Sequence, residues 1–181
     1  MKLLIVVDMQ NDFIDGSLAN KDAEAIVPGI CNLIKHFDGK IAYTMDTHSL
    51  NYLSTLEGEH LPVKHCIKGT PGWNLNKDIQ KALEESNIEK YGYPTMVEKP
   101  TFGYPGWLYT GLFDQYGDEE IDEIVLVGTC TDICVVSNAL ILKALFPDVE
   151  VTVLKDLCAG LSKEKHEAAL ETMRSCQIHV N

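Results

Sequence analysis

Four short apolar runs in this chain each lead to a side chain that can do chemistry. Leu3–Val7 runs into Asp8, Ile41–Met45 into Asp46 and Thr95–Glu98 into Lys99, while Ile124–Val127 passes through Gly128 and Thr129 to a helix start carrying Cys130 and Cys134. A thiol, two carboxylates and an ammonium supply a nucleophile, a proton carrier and a counter-charge. Cys134 falls in the first turn of the predicted helix, where free N–H groups and the helix dipole favour an anion. That placement predicts a lowered thiol pKa, a thiolate nucleophile and donors for an oxyanion. Asp8 suits a general base and Lys99 its charge partner. The competing reading makes Cys134 a buried core thiol, Asp8 a turn cap and Lys99 a solvated loop residue.

Asp46-Thr47-His48 offers a carboxylate and an imidazole at alternate positions, which point to the same side of an extended chain. Leu61-Pro62-Val63-Lys64-His65-Cys66 brings a second imidazole from a proline-containing turn. One carboxylate and two histidines suit Zn, Mn or Fe with positions left open, against the alternative of surface histidines and a turn-stabilising aspartate. Glu57, Glu59 and His60 lie between and could complete the set. Phe13, Trp73, Phe102, Tyr104 and Trp107 are candidate pocket walls, each with core packing as its alternative. Cys130 and Cys134 form a C-x-x-x-C pair, which raises a redox reading, although thioredoxin-type pairs use C-x-x-C.

These side chains can meet only if the elements carrying them share one edge of a sheet. Apolar, β-branched runs at Leu3–Val7, Lys40–Met45, Thr95–Glu98, Ile124–Val127, Val149–Leu154 and Gln177–Val180 read as six strands. Helical patterns at Asp22–His36, Asn76–Glu85, Pro105–Gln115, Thr131–Leu145 and Ser162–Ser175 alternate with them, Ser162 serving as a cap. The βαβ rhythm predicts a three-layer α/β/α fold with a six-stranded parallel sheet, built from right-handed crossovers. In such sheets the ligand site lies at the carboxyl ends of the strands, where Asp8, Asp46, Lys99 and the Cys130–Cys134 turn would converge. The irregular segments Asp46–Trp73 and Lys99–Trp107 would form the walls.

With 181 residues and 45% hydrophobic content, the chain reads as one domain, 1–181, able to bury its own core. Acidic residues outnumber basic ones 27 to 15, for a formal charge of −12, which argues against nucleic acid and anionic membrane as partners. No cleavage-site pattern follows Met1-Lys2, and no apolar run is long enough to span a bilayer. Six cysteines spread along such a chain suit a reduced compartment, so a cytoplasmic protein with mostly buried thiols is expected, Cys66 among them.

Together these motifs resemble the isochorismatase-like cysteine hydrolases, and within them the nicotinamidase/pyrazinamidase branch. The similarity rests on Asp8-Met9-Gln10-Asn11-Asp12-Phe13, Asp46-Thr47-His48, His65-Cys66-Ile67-Lys68-Gly69-Thr70, Glu98-Lys99 and Gly128-Thr129-Cys130-Thr131-Asp132-Ile133-Cys134-Val135, in the family's order. It implies a catalytic triad of Asp8, Lys99 and Cys134, a thioester intermediate, and release of ammonia from a small-molecule amide such as nicotinamide. It also implies a cis peptide before Cys130, with the backbone N–H groups of Cys130 and Cys134 facing the oxyanion. A divalent metal, Zn with Mn or Fe as alternatives, would be held by Asp46, His48 and His65, with Glu57 the candidate fourth ligand. Phe13 would cover the substrate, and a homo-oligomer is expected. The segment Leu61–His65 departs from the pattern, because nicotinamidases commonly place a Trp shortly before this histidine. That departure leaves open a metal-free hydrolase of another amide or ureido compound; a further alternative is a non-catalytic or redox-sensing thiol protein that uses Cys134 and Cys130 as a switch.

Overall fold

The computed structural model describes residues 1–113 and 120–181. Six strands, β1 (Lys2–Val7), β2 (Gly39–Asp46), β3 (Thr95–Lys99), β4 (Glu123–Thr129), β5 (Glu150–Ala159) and β6 (His179–Val180), form one all-parallel sheet in the order β3-β2-β1-β4-β5-β6. The helices are α1 (Asn11–Ile14), α2 (Lys21–His36), α3 (Leu56–His60), α4 (Lys77–Glu84), α5 (Ile88–Tyr91), α6 (Val136–Leu145) and α7 (Lys163–Ser175).

Period-two alternation along the strands sends side chains to both faces, and both faces are covered. Leu3, Ile5 and Val7 of β1 pack with Ala139 and Leu142 of α6 and Leu170 and Met173 of α7. Leu4 and Val6 face Ala23, Val27, Ile30 and Ile34 of α2 and Ile79, Ala82 and Leu83 of α4. The α2 stripe follows the three- and four-residue spacing of a one-sided helix, and Asn20 caps it by accepting from Asp22 N–H at 2.9 Å. Ser162 caps α7 in the same way, through Lys165 N–H at 3.3 Å.

From β1 the chain winds outward through β2 to β3, and from β4 outward through β5 to β6. The direction of winding therefore reverses between β1 and β4, which opens a crevice at their carboxyl ends. Gly128 sits at this seam with φ 119°, and a Cβ there would run into the Val7 carbonyl.

The helix predicted over 105–115 is not observed in its described part. Residues 107–109 make a single 3₁₀ turn, Thr110 Oγ1 captures the Trp107 carbonyl at 2.7 Å, and Gly111 leaves the helical region at φ 72°. The last two residues of that prediction lie outside the described residues. The wall segment expected to be irregular carries a 3₁₀ turn at Tyr52–Ser54 and the short α3.

Candidate active site

Each member of the sulfur cluster is delivered by a strand end. Asp8 follows β1 with a left-handed backbone (φ 48°), a costly conformation for a residue with a Cβ. Thr44 on neighbouring β2 holds it there: Asp8 N–H donates to Thr44 Oγ1 at 3.1 Å, and that hydroxyl donates to Asp8 Oδ1 at 2.6 Å. The β2–β3 register pairs Asp46 with Lys99. Lys99 Nζ lies 2.7 Å from Asp8 Oδ2, 3.5 Å from Cys134 Sγ and 3.7 Å from Asp46 Oδ1, and it donates to the Thr101 carbonyl at 3.2 Å. Cys134 stands in a π-helical turn, Thr131–Val135, that precedes α6 and follows a cis Thr129–Cys130 peptide. The Cys130 carbonyl accepts from Ile133 N–H and Val135 N–H, which closes that turn beneath the sulfur.

Asp8 and Lys99 are fully shielded from solvent and Cys134 nearly so. Burial, reinforced by the Asp8 carboxylate, pushes the Cys134 thiol well above its ordinary value, with Lys99 only partly opposing it. The direction expected from the helix start is thus reversed: desolvation and the neighbouring carboxylate push the thiol up. Burial also raises the Asp8 carboxyl against the pull of Lys99. Burial disfavours the Lys99 ammonium, but Asp8, Cys134 and Asp46 outweigh it and hold its pKa above the ordinary value. The cluster thus rests as a thiol beside an ammonium, with a carboxyl group of enhanced basicity next to both.

Asp46, His48 and His65 come together with their ligating atoms all within 4.8 Å of one another. Asp46 Oδ2 lies 3.0 Å from His48 Nε2 and 3.5 Å from His65 Nε2, and Glu57 Oε1 lies 3.6 and 3.9 Å from the same two nitrogens. His65 Nδ1 donates to the Val63 carbonyl at 2.9 Å, which turns the Nε2 lone pair toward the cluster. Burial opposes the charge on Asp46, yet both histidines and Lys99 hold its pKa below the usual range. Glu57 is raised by burial. Two imidazoles and two carboxylates around one point are a donor set that fits a divalent ion of the Zn, Mn or Fe class. The ring of Tyr52, 4.6 Å from His48 and 4.9 Å from His65 between centroids, packs against both.

Both clusters open on one cavity of about 470 Å³, a volume suited to a small molecule. Phe13, Phe102, Leu61, Ile133 and Leu161 supply its apolar wall, and Asp46, Glu57, His65, Cys130 and Cys134 its chemistry. The expectation that Trp107 and Tyr104 line this space is corrected. Trp107 is fully buried in the core, its indole N–H bound to Asn138 Oδ1 at 3.1 Å, and Tyr104 packs edge-on against it rather than on the cavity. Trp73 likewise turns away, donating its indole N–H to Thr47 Oγ1. The sequence reading missed Thr44, Tyr52 and the Gly16–Asn20 wall. Thr44 carries a signal in hindsight, a hydroxyl inside an apolar strand, whereas nothing in the types of residues 16–20 marks them.

The Isochorismatase domain model matches residues 2–180. The nicotinamidase/pyrazinamidase of Mycobacterium tuberculosis is 31% identical, over 99% of this chain and 98% of its own length. The crystal structure of the pyrazinamidase/nicotinamidase from Streptococcus mutans superposes with a TM-score of 0.81 at 28% identity over the whole of both chains. The pyrazinamidase of Pyrococcus horikoshii in complex with zinc does so with a TM-score of 0.72 at 29% identity, over 99% of this chain and 98% of that one. Sheet order, strand-end chemistry and these matches agree that the chain belongs to the isochorismatase family.

Proposed function

We propose that the protein is a cysteine-dependent amidohydrolase that converts nicotinamide and water to nicotinate and ammonia. The observation that carries this reading is the buried contact set of Lys99 with Asp8 and Cys134, opening on the same cavity as the Asp46–His48–His65 cluster. Relatives named for this activity span nearly the whole chain.

In the first half-reaction Asp8 takes the thiol proton as Cys134 Sγ attacks the amide carbonyl carbon. The raised basicity of a buried carboxyl suits it to this transfer, and Lys99 compensates the negative charge as it moves from Asp8 to sulfur. The backbone N–H groups of Cys130 and Cys134 are assigned to the developing oxyanion. Asp8 then returns the proton to the departing nitrogen, ammonia leaves, and a thioester remains on Cys134. Asp8 next takes a proton from the attacking water and passes it to the Cys134 thiolate as the second tetrahedral intermediate collapses; the acid released gives its proton to ammonia or solvent and leaves as the carboxylate. A divalent ion held by Asp46, His48, His65 and Glu57 would supply a Lewis-acid contact that orients the substrate ring. Phe13 and Phe102 cover the ring on the apolar side.

The segment Leu61–His65 holds no Trp before its histidine, and Leu61 lines the cavity instead, which favours a second reading in which a different small amide or a ureido compound is cleaved. Ammonia release from nicotinamide by purified protein, with metal removed and restored, tests the proposal. Turnover lost on chelation and regained with zinc or manganese supports it. Turnover of another amide, indifferent to chelation and to His48→Ala, transfers the assignment to the second reading.

A further inference from the structure

We infer that Gln10 and Asp12 are positioning residues for the metal cluster, so that the segment following β1 carries the catalytic carboxylate and also clamps both segments that bear the metal ligands, the end of β2 and the turn at His65. The inference rests on the reading of Asp46, His48, His65 and Glu57 as a metal site.

Gln10 is completely buried, and its amide spends its bonds on backbone rather than on side chains. Oε1 accepts from Asp46 N–H at 2.7 Å, while Nε2 donates to the Asp46 carbonyl at 2.9 Å and to the Trp73 carbonyl at 2.8 Å. Both peptide groups flanking the Asp46 Cα are therefore fixed by one rigid amide. That leaves the carboxylate little freedom beyond its own side-chain torsions. A buried amide with three good bonds is costly to replace, because each backbone group it pairs would be left without a partner.

Asp12 does the equivalent for the second loop. Its Oδ2 accepts from Cys66 N–H at 2.7 Å and its Oδ1 from Ser17 N–H at 3.1 Å. Cys66, next to His65, has a left-handed backbone at φ 45°, which a non-glycine residue keeps only when its surroundings hold it there. The Cys66 carbonyl in turn accepts from His48 N–H at 3.0 Å. The two bonds thus tie Asp12, through the N–H and carbonyl of Cys66, to the backbone of His48. Gly72 is part of the same arrangement, since a Cβ there would overlap the Asp12 carboxylate. Neither Gln10 nor Asp12 is among the residues whose ligating atoms form the cluster, so both act on the metal through the ligands they orient.

The test is a zinc competition titration of the full chain carrying Gln10→Met, Asp12→Ala or Asp12→Asn, beside the wild type. Supporting residues around metal ligands are worth about 10- to 100-fold in affinity, and a loss of that size is expected for Gln10→Met and Asp12→Ala. Asp12→Asn keeps one acceptor oxygen and should fall between Asp12→Ala and the wild type. Asp12 is only half-buried, so this variant keeps the test available if Gln10→Met does not fold. In Asp12→Asn the alkylation rate of Cys134 should stay at the wild-type value, and turnover should recover as zinc is raised. Zinc affinity unchanged in folded variants, or lost turnover that saturating zinc does not restore, would overturn the inference. A wild type that takes up neither zinc nor manganese would overturn the metal reading itself, and this inference with it.

Discussion

The sulfur cluster and the histidine cluster are joined by a single ammonium, Lys99, yet they are built by different means. Asp8, Lys99 and Cys134 are placed by the register of β1, β3 and β4, three neighbours or near-neighbours in the central sheet. His65 and Glu57 come from the segment between β2 and α4, where among the described residues no strand ladder carries them and Gln10 and Asp12 bond the backbone at Trp73 and Cys66 instead. A sheet edge gives precision to groups that must exchange a proton. Loops give reach to ligands that must gather around a point, at the cost of needing outside support.

If the two regions are separable in this way, substitutions should divide by which one they touch. The largest effect is expected from Asp8→Asn, which removes the proposed proton carrier while keeping its shape. Ammonia release should fall by about 10²- to 10⁴-fold, with zinc affinity unchanged in a parallel titration. A joint loss of rate and zinc binding would show that the clusters cannot be separated.

Removing the metal, or substituting His48→Ala, should cost about 10²-fold in kcat/KM, the scale of a misplaced substrate. Added zinc should restore the chelated enzyme but not the variant. Alkylation of Cys134 should persist in both, since the sulfur cluster keeps its own contacts.

The pH profile sharpens the comparison. Asp8 must be ionised to accept the thiol proton, and its pKa is raised by burial, so kcat/KM should fall on acidification at a pH above the ordinary carboxylate range near 4. Thr44→Val removes a donor that favours the ionised carboxylate and should move this acidic limb higher still. It also leaves Asp8 N–H without its partner, a loss of about 1–3 kcal/mol in denaturant unfolding. An acidic limb that stays at its wild-type position in this variant would argue that Asp8 is not the titrating base.

The smallest effect belongs to a residue outside both regions. Trp107→Phe keeps most of the buried ring but loses the bond to Asn138, so unfolding should weaken by about 1 kcal/mol with kcat/KM unchanged. A rise in KM would return Trp107 to the pocket wall.

The same division governs what the sequence revealed. Asp8, Asp46, Lys99 and the Cys130–Cys134 turn were legible because each ends an apolar run, and a parallel sheet brings run ends to one edge. The His48 and His65 pairing was legible only as a ligand-type pattern, because the loops between carry no periodic signal. The hold of Thr44, Gln10 and Asp12 on other segments spans 36 to 54 positions of sequence, a relation that no local spacing encodes. Trp107 was misplaced because a large aromatic after a Gly-rich stretch fits a wall and a core equally well until burial is known. The thiol pKa was misjudged for a related reason. A helix start is visible in the residue types, whereas the desolvation that raises the thiol depends on everything packed around the sulfur.

The most direct test of the thioester route is turnover of nicotinamide in the presence of hydroxylamine, followed by separation of the acyl products. Capture of an acyl-enzyme on Cys134 predicts that nicotinohydroxamate forms at the expense of nicotinate in the wild type, and that Cys134→Ala yields neither. Nicotinate formed at an undiminished rate by Cys134→Ala, or a wild type that turns over with no hydroxamate at any hydroxylamine concentration, would contradict it.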